Sequence, residues 1–427
     1  MQIRRNIMSF KPNPLLYGAN RDFFGTFKIV LTMSEEINLD VLSRSVAAAM
    51  VRYPYFSIRP ERKGNSLILQ SNPFPVPVFC DGRCAVLGSE EVNGHLVTFG
   101  CEGRKIILNV SHYIADGMGI MPLIKTVLYL YASEMYGAEG LQTDRITMPD
   151  EPVSEAEYEY PFRKMQADPD SLWMQRKIPS SVYTPHRDEA DKGDLYSYHL
   201  RIPQKAMMVI AQPSDGSPVS FLSVMMYRAL CALDEGVEQP VVVHVQHQYR
   251  PVLRTPLSRH SLVSYIPVVL PARMKSWDVE RQNTVVRGQI IMDSEPAADI
   301  SAVNRLLDVF HNEESMEYAD KKETMRKFID GTITPKTFGI SYVGKMDWSG
   351  LDKYVDDIHV YLGEKNPQNM ILMEVMTVDD DFSVTFMQNG RTRRFVDAFA
   401  DQLKSFDIPV TIVGEEAYTM CDTEIPE

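Results

Sequence analysis

Cysteine is scarce in this chain, and the few cysteines are not spaced as a disulfide framework or a zinc site requires. The 427 residues include five: Cys80, Cys84, Cys101, Cys231 and Cys421. An odd number at irregular intervals is atypical of small disulfide-bonded domains. Cys80 and Cys84 also lack the second pair of ligands that would complete a zinc site. We therefore expect neither a disulfide framework nor a bound metal.

The sequence also lacks a long apolar run. No segment reaches the roughly 20 apolar residues that a membrane-spanning helix needs. Arg4 and Arg5 lie near the start, but the apolar segment of a signal peptide does not follow them. We therefore expect a cytoplasmic protein with no membrane span.

Positive charge is not in excess, and the common nucleotide and hydrolase motifs are missing. The formal net charge is -13, spread along the chain. Nucleic-acid binding requires clustered lysine and arginine, so we expect no nucleic-acid partner. The sequence contains no Walker loop, no Gly-x-Gly-x-x-Gly after a strand and no Gly-x-Ser-x-Gly elbow, which disfavours nucleotide-driven and serine-hydrolase chemistry.

What the sequence does contain is a mixture of strand and helix patterns in both halves, typical of an α/β protein with mixed sheets. The patterns predict strands at 23–33, 55–59, 67–70, 76–79, 96–100, 105–111, 195–202, 240–248, 261–270, 338–343, 358–362, 370–378, 382–388 and 410–413. They predict helices at 39–51, 119–136, 217–233, 278–292, 299–328 (with a break) and 393–406. In the helix at 119–136, Pro122 fits the first turn.

A stretch rich in proline and acidic residues separates the two mixed halves. It covers residues 144–194, and its composition predicts a long, partly irregular crossover. We expect an N-terminal half over residues 1–178 and a C-terminal half over residues 179–427.

The segment with the most chemical content is Asn109-Val-Ser-His112-Tyr-Ile-Ala-Asp116-Gly117. It places a histidine between a strand and an amphipathic helix, and histidine exchanges protons near neutral pH. Asp116 and Gly117 predict a tight loop that holds the imidazole in place. The alternative is an ordinary core-edge histidine beside a turn aspartate. The junction with a helix also puts backbone N–H groups where negative charge could develop.

Other polar residues have simpler interpretations. His244 and His247 would lie on opposite faces of a strand, so they do not form a metal pair without a bend. His247 could border a site, although packing is the commoner use. The acidic run at 379–381 predicts a solvated turn between two strands.

Val110-Ser-His112-Tyr-Ile-Ala-Asp116-Gly117 resembles the His-x-x-x-Asp-Gly motif of the chloramphenicol-acetyltransferase-like superfamily. This group includes condensation domains, plant-type and polyketide-associated acyltransferases and alcohol acetyltransferases. Two later segments are similar to the family pattern: Gln246-His-Gln-Tyr-Arg250-Pro251, and Ile340-Ser341-Tyr-Val-Gly344-Lys-Met-Asp347. The resemblance implies two acetyltransferase-like halves arranged in a V, with a tunnel along their interface.

The resemblance also implies roles for individual residues. His112 would be the general base, and Asp116 would pair with Arg250 across the halves to lock the loop. Gly117 would allow close backbone approach, with a nearby N–H facing the oxyanion. Ser341 and Gly344 would border the acyl tunnel. No tightly bound cofactor is implied, because an acyl-CoA or the phosphopantetheine thioester of an acyl-carrier protein serves as co-substrate.

The resemblance therefore implies an acyltransferase that transfers an acyl group from a thioester to a small alcohol or amine, and we expect a monomer. Ser111 stands where condensation domains have the first of two histidines, and the plant-type Asp-Phe-Gly-Trp-Gly motif is absent. Two alternatives remain open. One is a freestanding condensation-type enzyme that forms amides, and the other is an inactive module of the same fold that docks carrier proteins.

Overall fold

The computed structural model describes residues 9–20, 25–163, 165, 176–187, 193–313, 315–332, 335–363 and 370–427. The fold is the mixed α/β arrangement that the sequence predicts. Parts of the predicted crossover at 144–194, and the first residues of the strand predicted at 23–33, lie outside the described residues.

Three sheets contain the strands of the described chain. In chain order the strands are β1 Ser9–Phe10, β2 Thr26–Met33, β3 Ile58–Lys63, β4 Ser66–Ser71, β5 Val78–Phe79, β6 Val97–Glu102, β7 Lys105–Ser111, β8 Leu195–Pro203, β9 Val241–Gln248, β10 Val263–Leu270, β11 Phe338–Lys345, β12 Val355–Tyr361, β13 Ile371–Val378, β14 Asp381–Asn389 and β15 Thr411–Ala417. The sheets have the orders β1-β4-β3, β12-β2-β7-β6-β5 and β10-β9-β11-β13-β14-β8-β15. Both larger sheets are mixed: β5 runs parallel to β6, and β11 runs parallel to β9 and β13.

The helices are α1 Leu39–Arg52, α2 Gly117–Tyr136, α3 Glu155–Tyr158, α4 Gln204–Ala211, α5 Pro218–Leu233, α6 Arg250–Leu253, α7 Val279–Asp293, α8 Pro296–Glu313, α9 Tyr318–Thr332 and α10 Arg394–Lys404. The break predicted within 299–328 separates α8 from α9. The predicted helix at 119–136 begins two residues earlier, because Asp116 caps it. The placement of Pro122 in the first turn was therefore wrong, since Pro122 lies inside α2.

Two separate apolar cores follow from the two larger sheets. Helices α1 and α2 cover the five-stranded sheet, and the alternating residues Ile106, Leu108 and Val110 of β7 point into that core. Helices α5, α7 and α10 cover the seven-stranded sheet, with Phe221 and Phe399 among the buried aromatic side chains. A strand that is buried on both faces has a nearly continuous apolar sequence. Strands β7 and β9 both show this pattern over most of their length.

The C-terminal half of the chain also completes the sheet of the first half. Strand β12 pairs with β2, so the five-stranded sheet contains one strand from far along the sequence. Residues of both large sheets, among them Val30, Ile107, Leu195 and Met387, form one buried cluster. Arg201 of β8 contacts Asp357 of β12 at 2.7 Å. The two sheets are therefore joined by packing and by charge, whereas an open V with a tunnel remains a prediction.

Candidate active site

His112 follows the last residue of β7 and precedes the loop into α2. Its backbone N–H donates to the carbonyl oxygen of Gly25 at 2.8 Å, which continues the pairing of β7 with β2 for one more residue. The ring of Phe27 meets the imidazole edge to face, with 5.0 Å between ring centroids. Backbone pairing and aromatic packing thus fix the position of His112 at the end of the strand.

The imidazole of His112 is half-buried and is held from the second half of the chain. Its Nδ1 lies 3.1 Å from the hydroxyl oxygen of Ser261, in the segment before β10. Burial lowers the pKa of His112 below its ordinary value, and the charge of Asp116 and a hydrogen bond with the residue's own carbonyl oppose this shift. A histidine with a lowered pKa is neutral at physiological pH and can accept a proton.

Asp116 performs two structural tasks with one carboxylate. Its Oδ1 accepts the backbone N–H of Gly119 at 2.8 Å, which is the N-cap of α2. Its two oxygens also accept hydrogen bonds from the two terminal guanidinium nitrogens of Arg250, at 2.7 and 2.8 Å. The backbone N–H of Leu262 adds a further bond at 2.9 Å. The contact between Asp116 and Arg250 that the resemblance implies is therefore present.

The guanidinium of Arg250 is saturated by this environment. Its Nε donates to the carbonyl oxygen of Ser258 at 3.2 Å, and Nη2 donates to that of His260 at 2.7 Å. Gln248 accepts from Nη1 at 3.0 Å. Asp116 is 1% exposed and Arg250 is 6% exposed. A buried pair with this many hydrogen bonds holds the segment from Arg250 to Leu262 against the start of α2.

The close approach of backbones occurs at Gly119 and not at Gly117, where the resemblance implied it. A Cβ on Gly119 would lie 2.1 Å from the carbonyl oxygen of Arg259, whereas one on Gly117 would meet nothing within 4 Å. Gly117 is the first residue of α2, and no other part of the chain would meet a Cβ there within 4 Å. That space at a helix N-terminus leaves room for a group that carries developing negative charge.

A second buried ion pair ties the crossover to the same segment. The carboxylate of Glu157 in α3 accepts hydrogen bonds from both terminal nitrogens of Arg52, at 2.8 and 3.0 Å, and from the hydroxyl of Tyr55 at 2.6 Å. Its backbone carbonyl accepts the N–H of Arg259 at 2.8 Å. Glu157 is 3% exposed. The elements around His112 are therefore clamped by two carboxylates that the bulk solvent hardly reaches.

A cavity of about 110 Å³ lies on the face of the seven-stranded sheet. Its polar lining includes His244, Gln246, Tyr265, Ser341 and Glu374. Oε2 of Glu374 is buried and has no hydrogen-bond partner among the described residues. Burial raises the pKa of Glu374 to about 7, although a hydrogen bond with Ser341 opposes the shift. The cavity thus presents a carboxyl oxygen that can accept a hydrogen bond from a ligand.

The structure brings some of the expected site residues together and separates others. His112, Asp116, Gly117 and Arg250 lie around one loop. Ser341 lines the cavity just described, whereas His112 and Gly344 do not. Gly344 has φ +89° at an irregularity in the pairing of β11 with β13, which explains the glycine there.

Sequence reasoning did not identify Ser261, Glu157 or Glu374. Ser261 is 149 residues from His112, and no local pattern marks it. Glu374 is the only charged residue within the apolar strand β13. An acidic residue inside an otherwise apolar strand is an informative exception, and this signal could have found it.

The simpler interpretations of the other polar residues agree with the structure. His247 contacts Asp299 at 2.7 Å, while His244 stacks on Tyr265 at 3.9 Å on the opposite face of β9. Asp379 has φ +53° at a two-residue turn between β13 and β14. Within the described ranges, no group of three or more His, Cys, Asp or Glu side chains is arranged to hold a metal ion.

Comparison with known proteins identifies the fold. No protein-family model matches the sequence, and no curated protein matches it either. TRI101 of F. graminearum, solved with coenzyme A and deoxynivalenol, has a TM-score of 0.58 at 12% identity over 93% of this chain and 97% of its own. Polyketide synthase associated protein 5 of Mycobacterium tuberculosis has a TM-score of 0.56 at 10% identity over 89% and 93%.

The condensation domain of the monacolin K polyketide synthase MokA is also similar, with a TM-score of 0.53 at 11% identity over 93% and 96%. The chain therefore has the chloramphenicol-acetyltransferase-like fold that the His112 motif indicated.

Among the described helices no single one is long and apolar enough to cross a membrane. One bent pair, Gln204–Ser214 with Pro218–Leu233, passes by length and composition, with 90° between its members.

Replacing Asp116 with alanine should destabilise the protein strongly. Arg250 would remain buried without its carboxylate, which typically costs about 3–5 kcal/mol, and α2 would lose its N-cap. Glu134→Ala, in the same helix, is the matched control, because its ion pair with Arg44 is exposed and should contribute only about 0–1 kcal/mol. Urea unfolding measures both. Equal unfolding midpoints for the two variants would contradict the assignment.

Replacing Gly119 with alanine should also destabilise the protein, because the new methyl group would collide with the backbone at Arg259. Overpacking of this kind costs roughly 1–3 kcal/mol. Gly288→Ala in α7 is the control, since a Cβ there meets nothing within 4 Å and should stabilise the helix by about 0.5–1 kcal/mol. Thermal unfolding compares the two. A Gly119→Ala variant as stable as the parent would show that the close approach is not rigid.

Proposed function

We propose that this protein is an acyltransferase that transfers an acyl group from a coenzyme A or carrier-protein thioester to an alcohol or amine. The observation that carries the proposal is the position of His112 between Ser261 and Phe27, in an environment whose burial lowers the pKa of the imidazole. Similar folds in proteins solved with coenzyme A support the donor class.

His112 acts as the general base in the proposed reaction. With Nδ1 directed at Ser261, Nε2 takes the proton from the acceptor hydroxyl or amine as that group attacks the thioester carbonyl. The tetrahedral intermediate then expels the thiolate, which receives the proton from the imidazolium. The developing oxyanion faces the N-terminus of α2 at Gly117, where the helix dipole and backbone N–H groups favour negative charge.

Asp116 and Arg250 are positioning residues in this proposal. Their side chains bond to each other and to backbone groups, so they fix the loop that carries His112. A base held in productive geometry avoids the entropy cost of ordering at each turnover.

The cavity at Glu374 is the proposed subsite for a polar group of the acceptor. A ligand hydroxyl or amine would donate to Oε2, which lacks a partner among the described residues. Burial, together with the charge of Lys336 in the same cavity, lowers the pKa of the neighbouring His244 to about 3, which favours an uncharged ring beside the carboxyl group. Ser341, which the resemblance associates with substrate, contributes to the same lining.

Condensation-type amide formation is the second candidate, because condensation and epimerisation domains share the fold. Ser111 argues against it, since it is fully buried and is hydrogen-bonded to Thr423 instead of facing substrate. The third candidate is an inactive module of the same fold that docks carrier proteins. A thiol-release assay with acyl-CoA donors separates the enzymes from the docking module, and carrier-bound aminoacyl donors separate the two enzymes.

His112→Ala should lower the rate of acyl transfer by roughly two to four powers of ten without unfolding the protein. His311→Ala is the matched control, because His311 lies exposed in α8. Burial lowers the pKa of His112 below its ordinary value. We therefore expect kcat/KM to decline with falling pH only below about pH 6.5, where the imidazole becomes protonated. Normal thiol release by a folded His112→Ala protein would refute the mechanism.

Glu374→Gln should weaken acceptor binding while leaving the donor KM nearly unchanged. A hydrogen bond to a charged or ionisable group contributes about 1.5–3 kcal/mol, so the acceptor KM should rise roughly 10- to 150-fold. Glu280→Gln, on the exposed start of α7, is the control. Steady-state kinetics with the acceptor varied gives the answer. An unchanged acceptor KM together with a changed donor KM would assign the cavity to the acyl chain instead.

A further inference from the structure

Two cysteines from opposite ends of the chain meet in this fold. Cys84 lies in the loop between β5 and β6, and Cys421 lies in the segment after β15. Their sulfur atoms are 2.7 Å apart, closer than two unbonded sulfur atoms normally pack. The residues are 337 positions apart in sequence, so only the tertiary structure pairs them.

The pair is chemically unequal. Cys421 is 2% exposed, whereas Cys84 is half-buried. The Cys421 thiol donates to Cys84 and the nearby Lys28 adds positive charge, so the pKa of Cys84 falls below that of an ordinary cysteine. The same interaction and burial raise the pKa of Cys421. An accessible thiolate beside a protonated thiol is the arrangement of an attacking and a resolving cysteine.

The segment that contains Cys421 lies directly behind the candidate active site. The carbonyl oxygen of Cys421 accepts the hydroxyl of Thr26 at 2.5 Å. Two residues on, Thr423 donates to Ser111 at 3.2 Å. Thr26 and Ser111 pair across β2 and β7, and His112 follows Ser111. Whatever fastens this segment also braces the strand ends that position His112.

We propose that Cys84 and Cys421 form a reversible disulfide that fastens the C-terminal segment behind His112. A peroxide is the oxidant. The Cys84 thiolate attacks the peroxide O–O bond, forms a sulfenic acid and releases the other oxygen as water after protonation. The sulfur of Cys421 then displaces the sulfenic hydroxyl, which leaves as a second water. Two thiols lose two electrons, and one peroxide is reduced to two waters.

The proposal is compatible with the scarcity of cysteine. A single pair is not a disulfide framework, and in a reducing compartment such a bond forms transiently under oxidation. A zinc site is a poorer interpretation, because two thiolates are too few ligands and no third donor joins them among the described residues. The proposal does not depend on the acyltransferase reaction.

The test uses the full-length protein treated with hydrogen peroxide and then alkylated under denaturing conditions. Two of the five thiols should be lost, peptide mass spectrometry should show Cys84 linked to Cys421, and a phosphine reductant should restore both. Cys84→Ser and Cys421→Ser should each abolish the link. Cys80→Ser should retain it, because Cys80 is exposed and four residues away. Five remaining thiols, or a link to Cys80, would overturn the pairing.

Hydrogen exchange tests the consequence separately from catalysis. In the oxidised protein, backbone amides of residues 418–427 and 109–116 should exchange several-fold more slowly than in the reduced protein, because local opening of the segment is restricted. The Cys421→Ser variant, with and without peroxide, should show no such difference. A disulfide that forms without any change in exchange would overturn the bracing of the His112 loop.

Discussion

The buried ion pair between Asp116 and Arg250 is the interaction on which the site depends. One carboxylate caps α2, accepts both terminal nitrogens of the guanidinium and accepts a backbone N–H at Leu262. Removing two charges from water is expensive, and only a complete set of hydrogen bonds offsets that cost. Here the partners are Gly119 in α2, Arg250 at the start of α6 and Leu262 just before β10. The position of Ser261, and hence the orientation of His112, follows from this pairing.

The protonation state of His112 results from a competition between burial and nearby charge. Burial lowers its pKa, and the negative charge of Asp116 raises it. Burial is the larger influence, which is reasonable because Arg250 neutralises the carboxylate at hydrogen-bonding distance. The same ion pair therefore fixes the loop that carries the imidazole, while burial lowers the pKa of the ring. A loop aspartate without an arginine partner would favour the protonated ring, which cannot act as a base.

The contact between the two large sheets gathers polar groups that no single segment contains. Strand β12 crosses to the first sheet, and the segment after β15 returns to the ends of β2 and β7. Glu374 is aimed into a cavity on the second sheet, and Cys84 meets Cys421 across this return. Each of these groups is unusual for its position: a carboxyl group in an apolar strand, and two sulfur atoms in contact. The cysteine contact results from the return of the segment after β15 to the first half of the chain, whereas the cavity at Glu374 is lined by residues of the second half.

The sequence by itself determined the class of the fold and the loop that matters. Alternation and helical periodicity predicted most strands and helices, because one or both faces of each element are buried against a core. The predicted helix at 217–233 matches α5, which begins at Pro218, and the predicted break separates α8 from α9. The motif from His112 to Gly117 indicated the fold that the comparisons with solved structures identify. What local sequence could not supply is distance: the partner of His112 is Ser261, the partner of Glu157 is Arg52, and the close glycine is Gly119 instead of Gly117. Only the tertiary structure decided these, because each contact joins segments whose separation along the chain carries no periodic signal.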